Sequence, residues 1–180
     1  MFKKLFLTAA VSLIALGAYA QKPLLAAITD IEEDPTNGLE MSRSLFNEYF
    51  LAELTTRAKI NVIDTATTQK KITALKLERG RKLSAGQVQA LCKSLKTDAL
   101  CLVSMKRTGK KSSVAVTVKV VNSKGKMLGL SKGNMQMIGD AGKVSALIAS
   151  KVADLIRTLN GTQALGKKID DQLHSAITGK

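Results

Sequence analysis

The densest cluster of ionisable side chains lies near the start of the chain, in the stretch TDIEEDPTNG (Thr29 to Gly38). Four carboxylates fall within five residues there, although the chain has only 14 acidic residues against 28 lysines and arginines. Such a density is typical of a cation site, of a surface that contacts a basic partner, or of a solvated loop before a helix. The four acidic residues are Asp30, Glu32, Glu33 and Asp34.

The spacing of these acids matches a calcium loop only in part. Asp30, Glu32 and Asp34 occupy alternating positions, as the first ligands of an EF-hand loop do. The sixth position, where that loop needs glycine, is Pro35, and the twelfth, where it needs a bidentate acid, is Met41. The sequence therefore predicts no metal and no cofactor here, and leaves a partner-contact loop and a solvated loop as the alternatives.

Other catalytic patterns are poorly represented. His174 is the single histidine, so neither a histidine-based hydrolase triad nor a histidine zinc site is expected. In RTGKKSS, Lys111 stands where a phosphate-binding loop needs Ser or Thr, and no glycine lies five residues before Gly109. These observations predict that the protein is not an enzyme. The remaining enzyme alternative is a carboxylate-only hydrolase that uses Asp30.

Two cysteines, Cys92 and Cys101, lie nine positions apart, which differs from the CxxC spacing of redox motifs. Cys92 falls near the end of a predicted helix, and Cys101 lies in the strand that follows. A helix that doubles back onto this strand would bring the two side chains within disulfide reach. The alternatives are a disulfide between them or two separate buried thiols.

The first 20 residues have the pattern of a secretory signal peptide. Lys3 and Lys4 precede an apolar run, which ends in a small-x-small cleavage signature at residues 18–20. Cleavage near Ala20 would leave 160 residues and lower the formal net charge from +14 to +12, because two lysines are lost. The sequence therefore predicts a periplasmic or secreted protein.

The mature chain is basic and poor in aromatic residues, which make up 3% of the sequence. Base stacking uses aromatic rings or arginine planes, so no nucleic-acid partner is predicted. A basic run between Gln69 and Lys82 is interpreted as one Lys-rich helix, which is either a surface for an anionic polymer or membrane surface, or a solvated helix face. Its basic residues are Lys70, Lys71, Lys76, Arg79, Arg81 and Lys82.

Hydrophobic periodicity predicts the elements that position these residues. The predicted strands lie around Leu24–Ile28, Ile60–Asp64 and Asp98–Arg107, with two more between Ser112 and Ile138. The predicted helices are Glu40–Arg57, Thr65–Gly80, Ser84–Lys96 and Gly139–Leu159. This order predicts a single α/β (α+β) domain with a mixed sheet of about five strands, a carboxyl-terminal antiparallel meander and about four packed helices.

The pattern divides the chain into a signal peptide at residues 1–20, one domain at residues 21–160 and a tail at residues 161–180. The tail carries apolar residues four positions apart, which favour a basic amphipathic helix, although a flexible tail is the alternative. These apolar residues are Leu165, Ile169, Leu173 and Ile177.

Residues 21–160 resemble the periplasmic α/β domains of the curli-secretion protein CsgG and the penicillin-binding-protein activator LpoB, and more distantly the amino-terminal domain of TolB. The resemblance is carried by LLAAITDIEED, LFNEYFLAELTTRAKINVID and GQVQALCKSLKTDALCLVSMKR. Members of this family are non-catalytic scaffolds, channel subunits or protein-binding activators of the cell envelope. The cysteine for lipid attachment and the long membrane-spanning hairpins of CsgG have no counterpart here, so a pore is not implied.

The resemblance implies an exported, non-enzymatic adaptor, activator or assembly factor that binds another envelope protein. The alternative is a binder of anionic envelope polymer or lipid headgroups, driven by the basic surface. Neither the identity of a partner nor the oligomeric state follows from the sequence.

Overall fold

A computed structural model of the chain describes residues 24–34, 36–109, 113–136 and 138–178, with the side chains of 162–178 left out. The predicted signal peptide and the side chain of His174 lie outside the described residues. Within the described part of the chain, no helix combines the length and the apolar character needed to cross a bilayer.

The apolar runs form one mixed sheet among the described residues, with the strand order β2-β1-β3-β4-β5. β1 pairs in parallel with β2 and β3, whereas β3, β4 and β5 pair antiparallel in succession. The strands are β1 (Leu25–Thr29), β2 (Asn61–Ile63), β3 (Ala99–Arg107), β4 (Val114–Asn122) and β5 (Met127–Met135). The predicted mixed sheet and its carboxyl-terminal meander are confirmed.

Four α-helices in the described residues pack on the two faces of this sheet, as predicted. They are α1 (Glu40–Ala52), α2 (Thr65–Ala74), α3 (Ala85–Leu95) and α4 (Ala141–Thr178). A π-helical turn, Glu53–Arg57, continues α1 to the predicted end, and a 3-10 turn, Ile138–Asp140, leads into α4.

The starts of α2 and α3 follow from local hydrogen bonds. The Ser84 hydroxyl accepts from the Gln87 amide, and the Gln87 side chain accepts from the Ser84 amide, which is a capping box. α2 begins at Thr65, after the N-cap Asp64, whose side chain accepts from the amide of Thr67 at 2.6 Å.

The predicted Lys-rich helix is wrong in its second half, since α2 stops at Ala74. The amide of Leu77 donates to the Ile72 carbonyl at 3.1 Å. The amide of Lys76, at a φ of 53°, donates to the Thr73 carbonyl at 3.0 Å. These bonds form a Schellman motif, which ends the helix and turns Leu77 onto the core around Ile72. The basic residues that lie in the α2–α3 loop are Lys76, Arg79, Arg81 and Lys82.

Successive residues of β3 point into two different hydrophobic cores, because strand side chains alternate between the faces of a sheet. Cys101 and Val103 belong to the core beneath α1 and α4. Leu100 and Leu102 belong to the core beneath α2 and α3. The sheet therefore separates two apolar layers.

α4 continues through the region predicted as a separate tail, from Ala141 to Thr178. The backbone after Gly161 is thus helical, while the predicted apolar stripe of this region lies outside the described side chains.

Two glycines of β5 allow α4 to approach the sheet closely. A Cβ atom at Gly133 would lie 2.6 Å from Cγ1 of Val144, and one at Gly129 would lie 2.7 Å from Cδ2 of Leu155. Both distances are too short for two carbon atoms that are not bonded to each other. Because residue numbers fall along α4 as they rise along β5, the helix runs antiparallel to the strand beneath it.

Candidate functional site

The predicted partner-contact residues form a loop, which we call the acidic loop (Asp30–Asp34), at the carboxyl end of β1. The chain leaves β1 through α1 to β2 on one side, and returns through α2 and α3 to β3 on the other side. The acidic loop thus follows the strand at which the connections diverge, a place where open α/β sheets commonly bind ligands.

Asp30 pairs with two arginines. Its Oδ2 lies 2.9 Å from Nη2 of Arg79 and 3.5 Å from Nη1 of Arg43. Arg79 belongs to the α2–α3 loop and Arg43 to α1, so this carboxylate links segments from both faces of the sheet. The Arg43 side chain is only 7% exposed, and a guanidinium buried to this extent requires such partners.

Glu32 connects the α2–α3 loop to the sheet. Its Oε1 accepts from the amide of Leu83 at 3.0 Å, and its Oε2 lies 2.8 Å from Nζ of Lys119. Leu83 precedes α3, and Lys119 belongs to β4. The carboxylate therefore holds the loop against the face of β4.

Glu33 is buried, with 3% of its surface exposed. Its Oε2 accepts from the amide of Met105 at 2.6 Å, and its other oxygen accepts from the side chain of Asn37. β1 ends opposite Leu102, so this carboxylate bonds an N–H of β3 beyond the end of the neighbouring strand. Burial raises the pKa of Glu33, while the Met105 amide and the Arg43 guanidinium act in the opposite direction.

Asp34 is the exposed member of the acidic loop. Its Oδ1 accepts from the amide and from the hydroxyl of Thr36, at 2.8 and 2.7 Å. These two hydrogen bonds stabilise the charged carboxylate and lower the pKa of Asp34.

The acidic loop therefore joins α1, the α2–α3 loop, β3 and β4, and cations of the protein itself balance much of its charge. Within the described residues, no three His, Cys, Asp or Glu side chains are grouped as metal ligands. Contact of the loop with a basic partner stays a prediction. Asp34 is the carboxylate best placed for it, because Glu33 is enclosed.

The predicted basic surface is divided between a helix and a loop. Lys70 and Lys71 are exposed on α2. Arg79 and Arg81 form ion pairs within the protein, with acids of the acidic loop and of the α2–α3 loop. The lysines of this loop are exposed. Binding of an anionic polymer or membrane surface by these residues stays a prediction.

Cys92 and Cys101 are separate buried thiols, the second of the two alternatives. Cys92, on α3, lies in the core beneath α2 and α3, whereas Cys101 lies in the core on the other face of the sheet. The helix does return to the strand, but the side chain of Cys101 points away from it. Burial raises the pKa of both thiols, that of Cys101 to about 12.

The side of β3, β4 and β5 that faces away from α1 and α4 is not among the surfaces predicted from the sequence. α2 and α3 leave part of this side uncovered, and we call this part the open sheet face. It consists of Ser104 and Lys106 of β3, Ala115 and Thr117 of β4, and Leu130, Lys132 and Asn134 of β5. The alternation of valine with Ala, Thr and Lys in β4 is the sequence pattern that indicates a half-exposed strand.

A shallow depression of about 690 Å³ lies between the open sheet face and the acidic loop. The polar side chains that line it are Glu33, Asp34, Asn37, Ser104, Lys106, Arg107 and Thr117. Arg107 fixes its rim by donating to the Gly38 carbonyl at 3.0 Å. Small-molecule sites enclose most of their ligand, whereas this depression is open and has charged side chains at its edge, as the periphery of a protein interface does.

β5 forms one edge of the sheet and pairs only with β4 among the described residues. Met127 and Leu130 of this strand are large apolar side chains that are exposed, and so is Leu147 of α4. The edge of β5 therefore presents backbone N–H and C=O groups beside apolar side chains.

No protein-family model matches the chain, and no curated protein matches it. The chain is similar to the C-terminal domain of LpoB from Salmonella enterica, with 12% identity, a TM-score of 0.46 and coverage of 67% of this chain and 87% of that chain. It is similar to lipoprotein GNA1162 from Neisseria meningitidis, with 15% identity, a TM-score of 0.48 and coverage of 73% and 99%. A PelC dodecamer from Paraburkholderia phytofirmans gives 12% identity, a TM-score of 0.41 and coverage of 74% and 89%.

These likenesses have identities under 25% and TM-scores under 0.5, so they assign neither a family nor an activity to this chain. LpoB, one of the proteins that the sequence resembles, is among the similar structures. The likeness to CsgG and to TolB stays a prediction.

Proposed function

We propose that the protein is an exported, non-enzymatic protein of the cell envelope that acts as an adaptor, activator or assembly factor by binding another protein. The observation that carries this proposal is the continuous exposed surface formed by the open sheet face and the edge of β5. Export is supported by the amino-terminal pattern of two lysines, an apolar run and a small-x-small site.

The composition of this surface favours a protein partner. Leu130 provides an exposed apolar centre, and Lys132 and Asn134 provide a polar surrounding. Interfaces commonly combine such a centre with a polar rim. The surface is also rigid, because β4 pairs along its whole length with β3 and β5, and the acidic loop fixes the end of β3 through Met105.

Site-specific photo-crosslinking in intact cells tests this proposal. A photoreactive phenylalanine analogue at Leu130 in the full-length exported chain should give a covalent adduct with another protein. The matched control carries the same analogue at Tyr49 on α1, because the two positions have nearly equal exposure, 47% and 46%. Absence of an adduct at Leu130, or the same adducts at both positions, would contradict the proposed surface.

A second candidate function is binding of an anionic envelope polymer or of lipid headgroups, and the lysines favour it. Among the lysines whose side chains are described, Lys119 alone forms an ion pair, so the others present uncompensated charge to solvent. Salt screens such attraction strongly, whereas a contact with an apolar centre weakens only modestly. Sedimentation with phosphatidylglycerol vesicles at low and high salt therefore tests this candidate, which requires binding that collapses as salt is added.

A further inference from the structure

The edge of β5 is a nine-residue strand with no neighbour on its outer side among the described residues. In an antiparallel pair, about half of the peptide groups of an edge strand point away from the partner strand. An extended segment of another protein can add to such an edge through main-chain hydrogen bonds. β5 is therefore a surface on which a sixth strand can pair.

α4 packs on one face of β5, and one side of the helix projects beyond the outer edge of the strand. Val144 and Leu155 of α4 contact the two glycines of β5. Ser145 marks the side of α4 that faces α1, because its hydroxyl donates to the Phe46 carbonyl at 3.3 Å. Leu147 follows two residues later, about 200° around the helix, so it lies on the side away from α1. Its exposure of 55% agrees with a position beyond the edge of the strand.

The edge carries positive charge on both of its sides. Lys132 is exposed on the open sheet face, and Lys151 is exposed on α4, one turn after Leu147. Side chains of an added strand would point alternately to the two sides. Those on the open sheet face would lie near Leu130 and Lys132. Those beneath α4 would lie near Leu147 and Lys151, so each side offers one apolar and one cationic contact.

We infer that β5 binds an extended segment of the partner protein as a sixth strand, and that this segment combines acidic with apolar side chains. The inference rests on the proposed function and names the chemistry of the partner. The carboxylates of the segment pair with Lys132 and Lys151, its apolar side chains cover Leu130 and Leu147, and its main chain bonds the outer N–H and C=O groups of β5.

Charge selects this occupant over a second copy of the chain. The mature chain has a formal net charge of +12, so two copies repel each other. Pairing of two β5 strands would also add the like charges of two Lys132 side chains to one small sheet surface. A lysine on an edge strand protects it against edge-to-edge association, and the same lysine attracts an acidic strand.

Fluorescence anisotropy with synthetic peptides tests the inference. The probe is a fluorescein-labelled peptide of the length of β5 that repeats Glu-Glu-Val-Val between threonine ends, so that glutamate and valine alternate on each side of the strand. One control peptide has lysine in place of every glutamate. The other has the composition of the probe, with its glutamates and valines in two separate blocks. The probe should bind the exported chain about tenfold more tightly than either control, because only the probe brings a carboxylate and an apolar side chain in turn to both sides of β5.

Variants of the protein locate the bound peptide. Lys132→Glu and Leu147→Glu should each weaken binding of the probe about tenfold, since each places a carboxylate against the glutamates. Lys70→Glu, on exposed α2, makes the same charge change as Lys132→Glu and should leave the affinity unchanged. Hydrogen exchange should show that the probe adds protection to the amides of β5.

Three results would overturn the inference. The first is an equal loss of affinity in Lys70→Glu and Lys132→Glu, and the second is binding of the block peptide as tight as that of the probe. The third is protection of β5 amides that grows with protein concentration in the absence of peptide, because this would identify a second copy as the occupant. If such a result accompanies a Leu130 crosslink to another protein in cells, the proposed function stands and the sixth-strand inference alone falls.

Discussion

Glu33 is a single carboxylate of the acidic loop that connects the end of β1 to β3. Its burial disfavours the charged form, and the pKa of Glu33 is raised although the Met105 amide and the Arg43 guanidinium favour the charge. Breaking a buried contact of this kind leaves the partner groups buried without a hydrogen-bond or charge partner. The Glu33 side chain thus fixes the end of β3, although burial disfavours its charged form.

The variant Glu33→Gln should remove a pH dependence of stability. Because the pKa of Glu33 in the folded protein lies above its ordinary value of 4.5, the folded state binds more protons than the unfolded state between these two values. The contribution of Glu33 to stability therefore falls as pH rises through this window. In urea unfolding between mildly acidic and neutral pH, the free energy of unfolding of the wild type should fall relative to that of the variant as pH rises.

Glu48→Gln, on the exposed side of α1, is the matched control and should keep the pH profile of the wild type. If the free energies of unfolding of the wild type and of Glu33→Gln differ by the same amount at every pH, burial does not raise the pKa of Glu33 in the folded protein.

At the scale of elements, three helical segments end at a lysine in the left-handed conformation. Lys59, Lys76 and Lys96 have φ values of 55°, 53° and 56°. This conformation costs about 1–2 kcal/mol for a residue with a Cβ atom, and glycine is the usual residue there. The ends of these helices are therefore strained in a way that the sequence does not show.

Lys96→Gly should stabilise the protein. The substitution relieves the left-handed strain, and the greater freedom of glycine in the unfolded chain offsets about 0.5–1 kcal/mol of the gain, so a net increase of about 0.5 kcal/mol is expected. Lys93→Gly, within α3, should instead lower stability by about 1 kcal/mol. Chemical denaturation of both variants checks the prediction, and a destabilised Lys96→Gly would contradict it.

The close contact between α4 and β5 predicts how substitutions at Gly133 and Val144 affect stability. Gly133→Ala would place a Cβ atom 2.6 Å from Val144, so overpacking should cost about 1–3 kcal/mol. Gly133→Ala combined with Val144→Ala should cost less than the sum of the two single variants, because the second change removes the clash. The free energy of unfolding of the three variants measures this coupling.

Gly86→Ala is the control for this cycle. A Cβ atom at Gly86 meets nothing within 4 Å, and the residue lies in the first turn of α3, so the substitution should not destabilise the protein. Strict additivity of the Gly133 and Val144 variants would show that α4 does not press on the strand.

The elements differ in how well the sequence predicted them. β3 and β4 have long runs of apolar or alternating residues, and these runs predicted both strands. The end of α2 was missed because the residue in the left-handed position is Lys76, which gives no glycine signal, while Gly80 lies further along the loop. The tail was separated from α4 because Gly161 interrupts the apolar pattern, whereas the backbone continues as a helix.

At the scale of the whole molecule, the position of the acidic loop was predictable, but its function in the fold was not. The loop follows a buried apolar run and precedes a helix, which places it at the carboxyl end of a strand. Its partners Arg79 and Lys119 lie 49 and 87 residues away in the sequence. No local pattern connects residues at such separations. The open sheet face was not predictable for the same reason, since its extent depends on how far α2 and α3 cover the strands.

The division of the molecule into two cores by its sheet determines the state of the cysteines, and this gives the last prediction. Cys92 and Cys101 lie on opposite sides of the sheet, and a disulfide would require one of them to cross it. The protein purified from an oxidising compartment, without reductant, should therefore show two reactive thiols with Ellman's reagent in denaturant. Both should react slowly in the native state, because the thiols are buried and the pKa of Cys101 is raised to about 12. Addition of dithiothreitol should leave the urea midpoint unchanged, and an intact mass lower by two hydrogens with no titratable thiol would contradict the two-core arrangement.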